Sequence, residues 1–397
     1  MSRVFSAALV LRQTSHALTR HLLARLGHPD LPVPWDGLPE RDVDPILAAV
    51  RTLPRPAQDD VEGALRTVFD LASAAGVAAI REAAASLGED ALPPDAPQDG
   101  GVYDLAAWAW AHRPRAVEVA GLFHQVDHLS WWRRRDDLPR REPDTSPDAL
   151  ARLGAELSAL LEAERGRGRH CTVEPLARGP TRYFFAYPDD YVQNVTAHDD
   201  RGRLTPRTFR RTFAVVFALD PAAGTLELYA RLSARLKQRV EEVFARVALG
   251  AEVGPWARPV YHLARLRWRD TALPTDPADR VRVSVRQLRL RVRGTQRVLT
   301  VKGDPDLGPD DVYDMLDELL DRERVPLTSL DVTLAGFCFE FLDAPPGRGR
   351  TLTFEVAAPN TCSLRNQRPE RVELALEYLR RWGICVDRPA DPGVGAA

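Results

Sequence analysis

The side chains most suited to chemistry in this sequence are arginines that alternate with apolar residues between Val260 and Lys302. Guanidinium groups make bidentate, charge-assisted hydrogen bonds to phosphate oxygens, and clustered arginines give sequence-independent affinity for nucleic acids. From Trp256 to Gly303 the chain carries 12 basic and 3 acidic residues, although its net charge is −2. The positive charge is concentrated in this stretch, which therefore predicts a phosphate-binding surface.

The alternation indicates that strands position these arginines. In Val260–Arg269 the period of two is typical of a strand with one buried and one solvated face. In Val281–Val292 the alternation changes phase near Arg286, and one extra residue there, a β-bulge, would return the apolar side chains to one face. A turn at Gly294–Thr295 would lead into the partner strand Arg297–Lys302. The predicted binding residues on this one sheet face are Arg265, Arg267, Arg269, Arg282, Arg286, Arg289, Arg291 and Arg293.

Three observations compete with the nucleic-acid interpretation. Arginine runs are often merely solvated, and a strongly acidic helix predicted over Pro309–Arg324 could pair with these arginines internally. A sheet that binds single strands also needs exposed aromatic side chains, whereas the parity of Trp268 places it on the buried side and leaves Tyr261 as the one candidate on the arginine side. Finally, Lys237 and Lys302 are the only lysines, and the skew towards Ala, Pro and Arg is typical of a GC-rich, bacterial genome. Arginine here does work that lysine does elsewhere.

The sequence His-Gln-Val-Asp-His places His124 and His128 four residues apart on one helix face, the spacing of helical zinc ligands. Gln125 stands where a zinc protease of this type has its glutamate base, and spacing identifies no third ligand. A second acidic stretch, Asp189–Asp200, offers further carboxylates but is equally typical of turns. A metal-dependent enzyme is therefore an alternative hypothesis, and no cofactor is expected.

The loop Pro359–Pro369 connects a predicted strand to a predicted helix N-terminus, where unpaired backbone N–H groups can bind anions. The polar side chains can equally cap the helix and satisfy the loop backbone. The candidate anion-binding residues in this loop are Asn360, Ser363, Arg365 and Asn366.

Several function classes lack their motifs. The chain has no Gly-Lys-Ser/Thr of a P-loop, no GxSxG elbow, no GxGxxG fingerprint and no acidic-x-Lys nuclease pattern. We therefore expect a non-catalytic binding or accessory protein, with nucleic acid as the leading ligand. The alternative partner is another protein, which would contact aromatic side chains on tryptophan-rich helices. Those aromatic candidates are Trp108, Trp110, Trp131 and Trp132.

Four cysteines without CxxC spacing predict a reducing, cytoplasmic setting, and no apolar run reaches the length of a membrane span. Periodicity predicts an α+β fold, with a helical N-terminal half followed by antiparallel hairpins and covering helices. Long helices are expected over Asp60–Leu87 and Pro114–Arg135. Pro- and Gly-rich connections suggest five segments: residues 1–90 (helical), 101–166 (helical and Trp-rich), 170–250 (hairpin and helix), 256–386 (arginine-faced strands) and 387–397 (a disordered tail).

Overall fold

The computed structural model describes residues 4–89, 96–97, 100–199, 202–255, 259–304, 307–308, 311–345, 349–366 and 369–386. Within these ranges the fold is α+β, which confirms the predicted class: a helical N-terminal part precedes a large antiparallel sheet. The chain separates into two compact units, Met1–His128 and Leu129–Ala397. The tail predicted over residues 387–397 lies outside the described residues.

The first unit is helical throughout its described secondary structure. Its helices are α1 (Ala7–Gln13), α2 (His16–Arg25), α3 (Asp44–Arg51), α4 (Arg55–Leu71), α5 (Ala74–Ser86), α6 (Val102–His112) and α7 (Pro114–His128). The single helix expected over Asp60–Leu87 is wrong, because α4 and α5 meet at an angle of 100°. Ser73 caps α5 by accepting a hydrogen bond from the Gly76 amide at 3.0 Å. A Cβ on Gly76 would lie 2.2 Å from the Leu71 carbonyl oxygen, so this sharp bend depends on glycine.

The second unit is built on the sheet. Its strands are β1 (Trp132–Arg135), β2 (Cys171–Arg178), β3 (Thr181–His198), β4 (Leu204–Thr212), β5 (Val215–Asp220), β6 (Thr225–Ala230), β7 (Val281–Val292), β8 (Val298–Lys302), β9 (Leu330–Phe341), β10 (Thr351–Ala357) and β11 (Thr361–Cys362). Its helices are α8 (Pro147–Arg165), α9 (Ala234–Leu249), α10 (Asp311–Leu319) and α11 (Pro369–Arg381). Among the described residues the strand order is β2-β3-β5-β6-β1-β11-β10-β9-β7-β8, and β4 pairs only with β3.

The short strand β1 joins the two halves of this sheet and corrects a sequence prediction. The helix expected over Pro114–Arg135 ends at His128, and Trp132–Arg135 is extended instead. β1 pairs with β6 on one side and with β11 on the other. Three consecutive arginines after tryptophan read as a helix C-terminus in isolation, but the tertiary pairing on both sides determines the strand.

The helices of the two sheet halves cover opposite faces. In β1, Arg133 is paired with Leu228, which belongs to the core formed with α8 and α9. Its neighbour Trp132 is paired with Cys362, which belongs to the core formed with α10 and α11. Because consecutive residues in a strand point to opposite faces, the two cores lie on opposite sides of the sheet. The face of β7–β10 that points away from α10 and α11 is therefore the one that carries the polar side chains of these strands.

No single helix among the described residues combines the length and the apolar composition of a membrane span. Helices α4 and α5 satisfy both conditions only when they are taken together across their bend.

Candidate functional site

A polar face on β7 arises from a bulge at Arg286, as the sequence predicts. The pairing of β7 with β9 shifts register between Val285 and Gln287, and β8 completes the predicted hairpin. The shift keeps Val285 and Leu288 in the core that contacts α10 and α11. Because side chains alternate along a strand, Arg282, Ser284 and Arg286 lie on the other face, roughly 6.6 Å apart along the chain.

These side chains line a groove of about 620 Å³ on the sheet surface. The adjoining strands contribute Lys302 from β8, Cys338 and Glu340 from β9, and Thr351 and Thr353 from β10. Lys302 is exposed and has no carboxylate partner among the described residues. The groove thus combines three cations with hydroxyl donors, and both kinds of group bind phosphate oxygens.

Internal carboxylates neutralise only part of this charge. Glu340 lies 3.5 Å from Arg282 and 2.8 Å from Arg350. Arg286 donates to the Gly308 carbonyl oxygen at 2.5 Å, which fixes the guanidinium without neutralising it. Burial raises the pKa of the Cys338 thiol, against the opposing effect of Arg286, so Cys338 is a neutral thiol rather than a nucleophile at neutral pH.

The remaining predicted arginines of this hairpin lie further along β7 or directly after it. Arg291 and Arg293 both contact the Asp331 carboxylate, at 4.0 Å and 2.8 Å respectively, and Arg289 is exposed between β8 and β9. One carboxylate therefore serves two guanidiniums at this end. The structure brings Arg282, Arg286, Arg289 and Arg291 to one strand, as expected, and Arg293 directly follows that strand.

The strand predicted over Val260–Arg269 is wrong, and Arg265, Arg267 and Arg269 do not belong to the sheet face. Ala264–Arg267 forms a 3-10 helix, because burying Val260, Leu263 and Leu266 requires a period of three rather than two. Arg267 donates to the Leu330 carbonyl oxygen at 2.8 Å, and Arg269 pairs with Asp314 and Asp317 of α10. Trp268, expected on the buried side, is 41% exposed.

The acidic helix leaves the arginines of β7 uncovered. Helix α10 packs Val312, Tyr313 and Leu316 into the core on the opposite face of the sheet. Its described bounds are shorter than the predicted Pro309–Arg324, and residues 309–310 lie outside the described ranges. Among the described residues, the internal pairing considered from the sequence therefore applies to Arg269 alone of the eight predicted arginines.

An exposed tryptophan, not anticipated at this site from the sequence, extends the groove. Trp131 is 38% exposed and lines a second depression of about 440 Å³, which shares Arg286, Lys302 and Thr353 with the first. Its φ of 66° is left-handed, a conformation that costs a bulky residue about 1–2 kcal/mol. The indole of Trp132 closes the turn by donating to the Leu129 carbonyl oxygen at 3.0 Å. The sequence placed Trp131 inside a predicted helix, and no local sequence pattern indicated the turn that exposes its ring.

The loop that follows β10 divides its predicted residues between the two faces. Ser363 lines the depression beside Trp131, where its hydroxyl accepts a hydrogen bond from the Glu355 amide at 2.9 Å. Arg365 points to the opposite face, pairs with Glu227 and stacks 4.5 Å from the Trp132 ring. Asn360 is buried, and its carbonyl accepts from the Arg134 amide at 2.9 Å. The side chain of Asn366 lies outside the described residues.

A second group of arginines is buried where β1 meets α9. Arg135 is fully buried and makes two hydrogen bonds to Asp137, at 2.7 and 2.8 Å. Glu241, also fully buried, lies 2.9 Å from Arg133 and 3.5 Å from Arg135. Burial raises the pKa of Glu241 to about 7, although both arginines act in the other direction. The buried charges of Arg135 and Glu241 join a strand to a helix and are inaccessible to a ligand.

The predicted metal ligands lie in the first unit without a third partner. His128 Nδ1 lies 2.7 Å from the His124 carbonyl oxygen, and burial followed by the charge of His128 lowers the pKa of His124. The described residues contain no group of three or more His, Cys, Asp or Glu side chains arranged to hold a metal ion.

The four tryptophans considered for protein assembly differ in exposure. Trp108 and Trp132 are buried, Trp110 is partly buried, and Trp131 is exposed in the groove of the second unit. Two of these four side chains therefore serve cores rather than an external surface.

Comparison of the chain with protein-family models, with curated proteins and with solved structures finds no match.

Proposed function

We propose that this chain binds the phosphate backbone of a nucleic acid in the groove over β7–β10, as a binding or accessory protein rather than an enzyme. The observation that carries the proposal is the arrangement of Arg282, Arg286 and Lys302 around one groove of about 620 Å³, with Lys302 unpaired among the described residues. Cations held on a sheet face contact several phosphates at once and release their counterions.

The partial pairing of the groove supports this function. Arg282 shares Glu340 with Arg350, so a phosphate can replace one of two guanidinium contacts without leaving the carboxylate unpaired. Arg286 is fixed by a neutral carbonyl group and keeps its charge for a ligand. Ser284, Thr351 and Thr353 add hydroxyl donors that tolerate any base sequence.

Fluorescence anisotropy with a labelled 20-nucleotide strand, measured over a series of salt concentrations, tests the proposal. We expect a variant that combines Arg282→Gln, Arg286→Gln and Lys302→Gln to bind more weakly. The slope of log K against log salt should become shallower by about 2, since each single-strand phosphate contact contributes about 0.7.

The matched control removes three arginines that pair with partly or fully exposed carboxylates outside the groove, through Arg239→Gln, Arg246→Gln and Arg381→Gln. It changes the net charge equally and should leave most of the affinity. No binding by the unmodified chain at low salt, or equal loss in both triple variants, would refute the proposal.

A further inference from the structure

The two lysines of this chain lie in two depressions on either side of one exposed tryptophan. Lys302 and Trp131 line the depression of about 440 Å³, whereas Lys237 and Trp131 line an adjoining one of about 360 Å³. The two depressions share Ser130 and Trp131. In a chain with only two lysines among 54 basic residues, both lie beside the same aromatic ring.

The adjoining depression continues the chemistry of the groove. Arg231 and Lys237 line it, whereas the Tyr229 ring lies 5.8 Å from the Trp132 ring on the opposite face of the sheet. From Arg282 to Lys237 the surface therefore presents cations, then an exposed indole, then further cations, and the carboxylates of Glu340 and Glu355 also line it. Single-stranded nucleic acids bind to this combination, in which cations follow the backbone while bases stack on aromatic rings.

The backbone of Trp131 supports a role for its ring in binding. A left-handed φ of 66° is unfavourable for tryptophan, and a ring that is 38% exposed recovers little by burial. Strained residues of this kind cluster at ligand sites, where the surrounding structure fixes them. Here the hydrogen bond from the Trp132 indole to the Leu129 carbonyl oxygen holds the turn that presents Trp131.

We propose that the ligand is single-stranded nucleic acid, that one of its bases stacks on Trp131, and that its backbone continues from Lys302 to Lys237. This inference rests on the proposed function, because it names the form of nucleic acid that the same groove binds. Base stacking on an aromatic ring does not depend on the base sequence, so the expected ligand is a strand of any sequence with accessible bases.

The test compares two labelled probes of 12 nucleotides, oligodeoxythymidylate and an abasic strand of equal length and charge. Trp131→Asn removes the ring and keeps a residue that tolerates a left-handed backbone. We expect it to weaken oligodeoxythymidylate binding about 5- to 140-fold while changing abasic-strand binding less than 2-fold, since stacking is the interaction removed. Trp131→Phe should restore part of the difference, and Lys237→Gln should weaken both probes equally.

Trp268→Ala is the matched control, because Trp268 is 41% exposed but does not line the depressions. It should leave both affinities unchanged, and thermal melting should show that each variant is folded. Equal losses on both probes for Trp131→Asn, or no loss, would overturn the stacking inference while leaving backbone binding intact. Failure of the unmodified chain to bind either probe, or equal competition by poly-glutamate, would overturn the proposed function with it.

Discussion

Two groups of basic side chains in the same sheet differ in their burial and in how completely their charges are paired. Where β1 meets α9, Arg135 is fully buried and pairs with Glu241 and Asp137, and Arg133, which is nearly buried, also pairs with Glu241. On β7 and β8, Arg282 and Lys302 lie at the surface with incomplete pairing. Burial makes an unpaired charge costly, so only the exposed group can keep charge available for a ligand. Burial and pairing, rather than arginine content, separate structural arginines from candidate binding residues.

The largest expected difference between these groups is in stability. Arg135→Ala would remove the partner of Asp137 and one of the two guanidiniums that lie beside the buried Glu241, and we expect the free energy of unfolding to fall by roughly 3–5 kcal/mol. Arg282→Ala is the counterpart, and its exposed pair with Glu340 should contribute at most about 1 kcal/mol. Urea denaturation of the two variants measures both effects, and similar losses in the two would contradict this division.

The next largest expected effect is the dependence of stability on pH. Burial raises the pKa of Glu241 from an ordinary value of 4.5 to about 7 in the folded chain. Between these values the folded state holds a proton that the unfolded state has lost. The stabilisation from this group is therefore complete below pH 4.5 and is lost as the pH rises through 7. Glu241→Gln lacks this dependence, so the stability of the unmodified chain relative to this variant should fall by roughly 3 kcal/mol from pH 4.5 to 8.

Denaturant titrations across this pH range measure the difference. Glu156→Gln provides the control, since Glu156 is a partly exposed carboxylate on α8 that also pairs with an arginine, Arg246. The free energy of unfolding of Glu156→Gln should change with pH in parallel with that of the unmodified chain. A parallel curve for Glu241→Gln as well would mean that Glu241 is ionised throughout, and that the buried cluster is fully charged.

The contrast also explains which features the sequence could predict. The phase change near Arg286 identified the bulge, because alternation along a strand reports burial directly. The same rule failed at Val260–Arg269, where alternation over ten residues also fitted the period of three of a 3-10 helix. The position of α10 on the opposite face could not be predicted, because it depends on sheet topology rather than on local pattern.

Trp131 and β1 are further features that the local sequence pattern could not predict. Their local pattern is helical, and only pairing with β6 and β11 makes the segment extended. Trp131 converges with Lys302 and Ser363, which both follow it by more than 170 positions, and nothing in the spacing of the chain indicates this. The fold class and the cationic strand were therefore predictable, whereas the shape of the groove and its aromatic residue were not.

The smallest expected effect is on oligonucleotide affinity, when a carboxylate beside the exposed basic side chains is neutralised. Glu340 is the carboxylate that Arg282 and Arg350 share, and its side chain is 27% exposed. Glu340→Gln should change the free energy of unfolding by less than about 1 kcal/mol, as partly solvated pairs contribute little. It should also strengthen oligonucleotide binding roughly 2- to 5-fold, because one unit charge a few ångströms from a phosphate is worth about 1 kcal/mol in water.

The direction of this change is what distinguishes a binding surface from a solvated one. Glu156→Gln alters the net charge equally but lies on α8, and it should change the affinity less than Glu340→Gln does. Anisotropy titrations of both variants at one salt concentration provide the comparison. Equal gains would assign the effect to net charge alone, whereas a loss of affinity in Glu340→Gln would mean that Glu340 holds Arg282 in its binding position. Because Glu241 is buried and Glu156 lies on α8, we expect the larger gain in affinity when the charge of a carboxylate in the open groove is removed.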